Sequence, residues 1–377
     1  MTLTTWAFPT TVVFGVGAVE ALPDHVHRIG ARRPLVVCDA GVVKVGIVER
    51  IRRLLDGQKI ASAVFADVDP NPIERNIFDG VVAYRAHQAD CVVAVGGGSP
   101  LDAGKLIALK VTHERPLADY DDAIDGGALI GPNVPPVLTI PTTAGTGSEV
   151  GRSGVVTLSI TKRKTVIFSP YLLAKVALLD PELTRTMPAR VTAATGFDAL
   201  THCLEAFCAL GDHPMADSIA LGGLELCSAN LARAVEQGDD LVARGGMMKA
   251  AMMGAVAFQK GLGACHSLAH PLSAERGLHH GLANALCLPA VVEYNEEAVA
   301  KKLRRVRDIL DPSAPSCADA LRRLRARVGL PDGLAAERVG AEDIPLLSEK
   351  AFQDACHRSN PRPTGRDDLA SLYRASL

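Results

Sequence analysis

The pattern of apolar residues changes once along the chain, and this change limits the possible folds more than any other feature. Up to about residue 180, short runs rich in β-branched residues alternate with segments of helical periodicity. Such alternation predicts a parallel sheet that helices cover on both faces. After Pro188 no strand pattern appears, and long Ala- and Leu-rich segments separated by Gly and Pro predict helices only.

Two domains are therefore predicted, in agreement with a length of 377 residues, which exceeds what one compact core usually holds. The fold class is α/β + all-α: an N-terminal Rossmann-like parallel-sheet domain at 1–184 and a C-terminal helical bundle at 185–377. Strands are expected at 34–39, 61–68, 91–95, 137–140, 155–160, 165–169 and 176–180, with helices at 17–29, 43–55, 74–87 and 101–110 between them. The helical half is expected to hold helices at 191–209, 216–237, 241–261, 266–275, 283–294, 297–310 and 317–328.

Charge and cysteine content exclude several classes of protein. The net charge of −2 indicates no basic face, so neither nucleic acid nor an anionic membrane is expected as a partner. Nine cysteines without a CxxC pair favour buried free thiols in a reducing compartment. Residues 1–6 lack the basic and apolar regions of an export signal, and no apolar run approaches the ~18 residues of a membrane span. A cytoplasmic location is expected.

Three consecutive glycines lie between a strand candidate and a helix candidate. Gly96, Gly97 and Gly98 lack Cβ atoms and so let the backbone approach a ligand closely. Ser99 is a good helix N-cap, and Pro100 suits the first helical position. The N–H groups of such a helix end bind an anion, most simply a pyrophosphate. A plain strand-to-helix turn is the alternative interpretation.

Two other polar features accompany the glycines. Asp39 ends an earlier strand candidate, where it can bind ribose hydroxyls and repel a 2′-phosphate, or simply form a turn. It precedes the glycines, so the order is not the ordinary Rossmann one. Thr142, Thr143 and Thr146 follow another strand candidate. Their hydroxyls suit the phosphate or nicotinamide ribose of a cofactor, and a hydroxyl-rich surface loop is the alternative.

An aspartate and several histidines recur at helical spacing in the second half. Asp198 and His202 are four residues apart and share one helix face, and His266 and His270 repeat that spacing. The clustered histidines are those at positions 202, 266, 270, 279 and 280. One carboxylate and three imidazoles can hold a divalent transition metal and leave a position for substrate. Helix caps, surface histidines and core histidines are the alternative.

Together, a dinucleotide loop and a metal cluster indicate metal-assisted hydride transfer. A bound metal lowers the pKa of an alcohol, so that alkoxide forms near neutral pH. Nicotinamide then accepts hydride from the carbon. The chain is therefore predicted to be an oxidoreductase.

With these motifs the chain resembles the iron-containing (group III) alcohol dehydrogenase family. The matching segments lie at 14–17, 96–102, 141–149, 179–184, 194–205, 261–271 and 280–284, in the family's order and spacing. The resemblance implies the dehydroquinate synthase-like fold and an NAD-dependent alcohol dehydrogenase or aldehyde reductase. It also implies a homodimer or higher homo-oligomer and bound Fe²⁺, with Zn²⁺ as the alternative because it occurs in relatives and would bind more tightly.

The resemblance further implies a role for individual residues. The metal ligands are Asp198, His202, His266 and His280, and His270 lies beside the substrate as a proton relay. Asp39 matches the acid that favours NAD over NADP, Lys164 lies near nicotinamide and Leu179 near adenine. The remaining cofactor-binding residues are Gly96, Gly97, Gly98, Ser99, Asp102, Thr142, Thr143 and Thr146.

Two cations flank the expected pocket and bear on the substrate. Arg152 follows the threonine loop, and Lys260 precedes the His266 segment. If both face inward, they bind an anionic group distal to the aldehyde, as in 4-hydroxybutyrate. The alternative is that both are solvated surface cations.

Three other functions compete with a small-alcohol dehydrogenase. A maleylacetate reductase shares the fold, although reported members often lack the complete metal set that is present here. A dehydroquinate-synthase-like lyase also uses NAD and a metal, but it needs more basic residues near the motifs than this chain has. A non-enzymatic NAD-binding scaffold gives no reason for an Asp/His cluster.

Overall fold

The structure is a computed structural model that describes residues 8, 10–161 and 163–377. The segment 1–6, used above to argue against export, lies outside the described residues. The chain divides into two compact units. Among the described residues, the sheet unit comprises 10–143 and Ser148–Thr186, and the helical unit comprises Phe8, Ala144–Gly147 and Met187–Leu377. A domain boundary between residues 184 and 185 stays a prediction.

A six-stranded parallel sheet forms the centre of the sheet unit, as predicted. Its strand order is β1-β8-β5-β4-β2-β3, and every neighbouring pair is parallel. The edge strand β1 was not predicted. The strands of this unit are β1 Thr11–Phe14, β2 Pro34–Val37, β3 Ala63–Phe65, β4 Cys91–Gly96, β5 Val137–Pro141, β6 Ser153–Thr157, β7 Lys164–Phe168 and β8 Val176–Leu179.

Helices cover both faces of this sheet. Successive residues of β4 enter different cores, since Val92 belongs to one apolar cluster and Val93 to the other. This explains why the central strands are apolar throughout instead of alternating. The helices are α1 Leu22–Arg28, α2 Ala40–Lys44, α3 Ile47–Gly57, α4 Glu74–His87 and α5 Gly98–Thr112.

Two predicted strands form a separate hairpin and do not join the parallel sheet. Strands β6 and β7 pair with each other in an antiparallel register, with Gly154 opposite Ile167. Only six residues connect them, whereas a parallel crossover needs a dozen or more. The prediction of one parallel sheet was wrong here, because the connection between these two strands is too short for a parallel crossover.

The helical unit contains helices and short helical turns, and the described residues from 187 onward form no strand. This confirms the predicted change of character. The two helices expected at 283–294 and 297–310 lie within the continuous range His280–Leu310, in which two helices meet at a kink where Val299 has non-helical backbone. The helices are α6 Ala189–Cys208, α7 Pro214–Glu236, α8 Leu241–Ala257, α9 Ala264–Arg276, α10 His280–Leu310, α11 Cys317–Arg327, α12 Ile344–Gln353 and α13 Arg366–Ala375.

One segment of this unit is long and apolar enough to cross a membrane by length and composition. It spans Leu241–Lys260, and 67% of its apolar window is buried inside the protein. Burial of this extent is typical of a core helix in a globular protein, so the segment is weak evidence for a membrane span. A cytoplasmic location stays a prediction.

Candidate active site

Three helices of the helical unit supply the four predicted metal ligands. Asp198 and His202 lie one turn apart in the middle of α6. His266 lies in the first turn of α9, and His280 is the first residue of α10. Gly281 explains the close approach of α10 to α6, because a Cβ atom there would collide with the backbone carbonyl of Ala194.

The structure brings these four side chains together around one carboxylate oxygen. The Nε2 atoms of His202 and His266 each lie 4.0 Å from Oδ1 of Asp198, and Nε2 of His280 lies 3.5 Å from it. Ligand atoms of Asp198, His202 and His266 all lie within 4.8 Å of one another, and these three residues are buried. Donor atoms 3.5–4.0 Å apart can share one cation through bonds of about 2.0–2.2 Å.

Two further buried side chains orient the predicted ligands. Glu205 Oε2 lies 2.6 Å from Nδ1 of His266, and its other oxygen accepts the backbone N–H of Cys265 at 2.7 Å. Asn284 donates from Nδ2 to Oδ1 of Asp198 at 2.9 Å. Neither role was predicted from the sequence, although Glu205 is three residues after His202 and Asn284 is four after His280, so each lies on the ligand-bearing helix face.

Burial and charge set the protonation of the histidines. Burial lowers the pKa of His202 to about 4, against the smaller opposing effect of the Asp198 carboxylate. The ring is therefore neutral at pH 7, which is the form that binds a metal. Burial alone would lower the pKa of His266, but its hydrogen bond to Glu205 and the charges of Glu205 and Asp198 raise it.

This donor set fits a divalent transition metal. With Nδ1 of His266 bonded to Glu205, its Nε2 is directed at the same carboxylate oxygen as the other two rings. Metal-ligating histidines commonly have such a carboxylate partner on the second nitrogen. One carboxylate and three imidazole nitrogens suit Fe²⁺ or Zn²⁺ better than Mg²⁺ or Ca²⁺.

The predicted proton relay, His270, lies beside this cluster. Its ring stacks on that of His280 with centroids 5.2 Å apart, and it meets His266 edge-on at 6.0 Å. Nδ1 of His270 lies 2.8 Å from Oδ2 of Asp354. Asp354 is 84 residues away in sequence, and no local pattern points to it.

Most of the predicted cofactor residues in the sheet unit gather at the C-terminal ends of three neighbouring strands. We define the glycine edge as Asp39 after β2, Gly96–Gly98 at the end of β4, and Thr142–Thr143 after β5. The backbone N–H of Thr142 donates to the carbonyl of Gly96 at 2.9 Å. A Cβ atom on Gly97 would lie 3.4 Å from the Thr143 side chain. The edge therefore consists of backbone and small side chains.

Asp39 serves two features of this edge. Its Oδ1 accepts the N–H of Val42 at 2.9 Å and so caps α2. Its Oδ2 lies beside Gly96, 3.4 Å from the position of a Cβ atom there. Gly96 has φ of +146°, a conformation that favours glycine. Asp39 can therefore cap the helix with one oxygen and still bind ribose hydroxyls with the other, so the two interpretations of this residue are compatible.

Ser99 differs from its expected position as a helix N-cap, and Asp102 has hydrogen-bond partners within the protein. Helix α5 begins at Gly98 with Gly97 at the N-cap position, so the prediction of Ser99 as N-cap was wrong. The Ser99 hydroxyl instead donates to the carbonyl of Pro70. Asp102 bonds within the sheet unit, where it accepts from Ser148 and from the N–H of Val155. Its cofactor role stays a prediction.

Three other predicted cofactor residues are not among those that define the glycine edge. Thr146 is in the segment Ala144–Gly147 of the helical unit, where the neighbouring Gly145 packs against Thr195. Lys164 begins β7 and is partly buried, and Leu179 is the fully buried last residue of β8. Their contacts with a cofactor stay predictions.

The two cations predicted to bind substrate have different surroundings. Nζ of Lys260 lies 2.5 Å from Oδ1 of Asp217 and donates to the carbonyl of Phe207, and its side chain is 1% exposed. This engagement removes the basis for assigning it to a substrate anion. Arg152 is half-buried over the ring of Phe168 and forms no ion pair with a carboxylate in the described part of the chain. Burial lowers the pKa of its guanidinium.

Comparison with known proteins gives matches along the whole chain. Residues 9–181 match the family model described as iron-containing alcohol dehydrogenase, and residues 192–377 match that of the family's C-terminal domain. The 4-hydroxybutyrate dehydrogenase of Cupriavidus necator is 40% identical, with 98% of each chain covered. The crystal structure of 1,3-propanediol oxidoreductase has a TM-score of 0.94 at 35% identity, with 100% of each chain covered.

A third similar protein was solved with a dinucleotide. It is the sulfoacetaldehyde reductase from Bifidobacterium kashiwanohense in complex with NAD⁺. It has a TM-score of 0.89 at 30% identity, covering 100% of this chain and 99% of that one. Similarity at this level extends over both units of the chain.

Proposed function

Because the chain belongs to the iron-containing alcohol dehydrogenase family, we propose that it oxidises an ω-hydroxy acid such as 4-hydroxybutyrate, or reduces the corresponding aldehyde. Membership confirms the resemblance drawn from the motifs, and the chain is an NAD-dependent alcohol dehydrogenase. The choice of substrate rests on the relative of 40% identity, which is a 4-hydroxybutyrate dehydrogenase. Its alignment with this chain covers 98% of each sequence.

The surroundings of Arg152 support an anionic substrate. Its guanidinium is partly removed from water and has no carboxylate partner among the described residues. An unpaired cation in such a place gains from an anionic ligand, and guanidinium binds a carboxylate through two parallel hydrogen bonds. We assign Arg152 to the distal carboxylate, and we no longer assign Lys260, since Asp217 neutralises it.

The chemistry is divided among the bound groups and the protein's own residues. Asp198, His202, His266 and His280 would hold a metal, Fe²⁺ or alternatively Zn²⁺, which when bound would supply polarisation of the substrate oxygen, and NAD would supply the hydride acceptor or donor. Asn284 and Glu205 hold the Asp198 oxygen and the His266 ring in place. His270 accepts the hydroxyl proton during oxidation and returns it during reduction.

At the glycine edge the protein supplies backbone contacts for the cofactor. Gly97 and Gly98 open helix α5, whose N-terminal N–H groups and dipole favour the pyrophosphate. The Oδ2 side of Asp39, beside Gly96, suits ribose hydroxyls and opposes a 2′-phosphate, which favours NAD over NADP. A homo-oligomer of at least two chains remains our expectation.

Selectivity between acidic and neutral alcohols tests this proposal. Arg152→Ala should raise KM for 4-hydroxybutyrate by roughly 10–100-fold, as expected for the loss of a charged hydrogen bond of about 1.5–3 kcal/mol. Its KM for butanol should not change, because butanol carries no anion. Lys260→Ala is the matched control, in which any change should be the same for both alcohols. Initial rates of NADH formation give all of these values.

Two results would contradict the proposed substrate. One is a wild-type enzyme that does not prefer 4-hydroxybutyrate to butanol in kcat/KM. The other is an Arg152→Ala variant whose preference equals that of the wild type. Maleylacetate belongs in the same panel, and its reduction at a higher kcat/KM than that of any aldehyde would favour the reductase.

A further inference from the structure

The hydrogen bond between His270 and Asp354 has the geometry by which a carboxylate fixes a proton on one ring nitrogen of a histidine. Their atoms Nδ1 and Oδ2 are 2.8 Å apart, and both side chains are less than one-quarter exposed. A carboxylate only accepts hydrogen bonds, so Nδ1 of His270 must carry the proton in this pair. Nε2 of a neutral ring then retains its lone pair and can accept a proton.

Asp354 is itself held in position by its other oxygen. Oδ1 accepts the hydroxyl of Ser267 at 2.7 Å and the backbone N–H of Cys356 at 2.8 Å. Three donors therefore surround one carboxylate. Although burial opposes ionisation, the hydrogen bonds from His270, Cys356 and Ser267 favour the carboxylate and help to hold the pKa of Asp354 well below its usual range.

The ring of His270 is also fixed from its other sides. It is nearly parallel to the His280 ring, with an angle of 12° between their planes, and it meets the His266 ring at 66°. Stacking restricts the position of the ring, but it does not decide which nitrogen carries the proton. That choice depends on the partner of Nδ1, which is Asp354.

We propose that Asp354 is a positioning residue that keeps the proton on Nδ1 of His270 and thereby makes Nε2 the acceptor of the substrate's hydroxyl proton. In oxidation the O–H bond breaks and its proton moves to Nε2, while the C–H bond breaks and its hydride moves to NAD⁺. The products are aldehyde, NADH and one proton on His270, which is later released to water. The inference rests on the proposed role of His270 in proton transfer.

A purely structural role for Asp354 predicts a different outcome. The segment after α12 is tied to α9 through Ser267, whose hydroxyl donates to Asp354 and accepts the N–H of His357 at 2.8 Å. Ser267→Ala removes this tie and leaves the His270–Asp354 pair. It is therefore the matched control for loop anchoring.

Asp354→Asn tests the proposal without changing side-chain size. An amide can donate to Nδ1 and so favour the tautomer with its proton on Nε2. We expect kcat to fall by about 100-fold or more, the range of general acid–base contributions, with a much smaller change in KM. Metal content should match that of the wild type. Asp354→Glu should recover part of kcat, and Ser267→Ala should lose much less.

The tautomer can be measured without turnover. Nitrogen NMR of zinc-reconstituted protein labelled with ¹⁵N-histidine distinguishes the two neutral forms, and His270→Gln identifies the signal. We expect the Nδ1–H form in the wild type and its loss in Asp354→Asn. An Nε2–H signal for His270 in the wild type overturns the inference even if the variants do not fold.

Kinetics provide a second way to refute it. An unchanged kcat in Asp354→Asn, or a loss that Ser267→Ala reproduces in full, would overturn the positioning role. These assays use the best alcohol of the substrate panel, so an error in the choice of 4-hydroxybutyrate does not affect them. If His270→Gln keeps full activity, the proposed proton transfer fails separately, whatever the tautomer.

Discussion

The two candidate sites of this chain differ in the chemical groups that form them. In the helical unit, the predicted metal site consists of one carboxylate and three imidazole side chains from three helices. A shared ion requires all four of them to be in place. In the sheet unit, the glycine edge consists of backbone groups and small side chains at the ends of β2, β4 and β5. The first candidate site offers side-chain atoms to a ligand, and the second offers backbone groups that small side chains leave accessible.

The difference follows from what each ligand requires. A metal ion needs a few donor atoms at fixed distances, so buried carboxylate and imidazole groups must be oriented by partners such as Glu205 and Asn284. A dinucleotide is large and anionic, so it needs surface and N–H groups along a strand edge. Substitutions that remove a side chain should therefore damage the first site, and those that add one should damage the second.

Removal of the shared carboxylate should have the largest effect. Asp198→Asn takes away the only carboxylate among the four predicted ligands, so metal affinity should fall by more than about 100-fold, since outer partners alone are worth roughly 10–100-fold. Metal titration of the apoprotein measures this, and activity should fall with it. NADH affinity, measured by fluorescence titration, should not change.

Glu149→Gln is the control for this substitution. Glu149 is also a buried carboxylate, but it belongs to the sheet unit, where burial raises its pKa to about 7. The same chemical change there should leave metal affinity unchanged. Equal metal affinity in Asp198→Asn and wild type would show that the cluster does not bind the ion.

A smaller loss is expected when a ligand stays but its partner changes. Glu205→Gln leaves all four ligand atoms and removes the charge that faces Nδ1 of His266. Metal affinity should fall by about 10–100-fold, the usual worth of such a partner. Competition with a chelator measures it. If affinity is unchanged in Glu205→Gln, the orientation of His266 does not depend on this carboxylate.

The smallest of the three effects should come from adding one methyl group to the glycine edge. Gly97 has φ of −74°, which alanine adopts, and its Cβ would meet Thr143 at 3.4 Å, so the fold should tolerate Gly97→Ala. The methyl group should keep NAD from the N–H groups and raise its dissociation constant by about tenfold, equivalent to the loss of roughly one hydrogen bond.

Metal content in Gly97→Ala should equal that of the wild type, which separates the two sites. Fluorescence titration with NADH and metal analysis on the same sample provide both values. Unchanged NADH affinity would refute the assignment of this edge to the pyrophosphate. Loss of metal together with NADH would indicate a general folding defect.

Regular local patterns made much of this molecule predictable. Spacing of four residues placed Asp198 with His202 on one face of α6, because helical geometry alone determines which residues share a face. The glycine run between an apolar strand and a helix located the turn at the end of β4 in the same way. The change from alternating elements to helices was also visible, since periodicity is a property of neighbouring residues.

Pairings between distant segments were not predictable in this way. Composition identified β6 and β7 as strands but not as partners of each other, and it gave no sign that Asp217 would engage Lys260. Glu205 with His266 and Asp354 with His270 are 61 and 84 residues apart. Each of these contacts depends on which elements the fold brings together, and composition and helical spacing do not specify this.

The sequence by itself determined the order of elements, the helix faces that carry Asp and His, and the family to which the chain is similar. Only the tertiary structure decided that the Asp198 oxygen is shared, because this requires α10 to approach α6 at Gly281. It also decided that Nδ1 is the nitrogen of His266 and of His270 that forms a hydrogen bond with a carboxylate. Local periodicity orients a side chain on its helix, whereas packing between helices decides what that side chain meets.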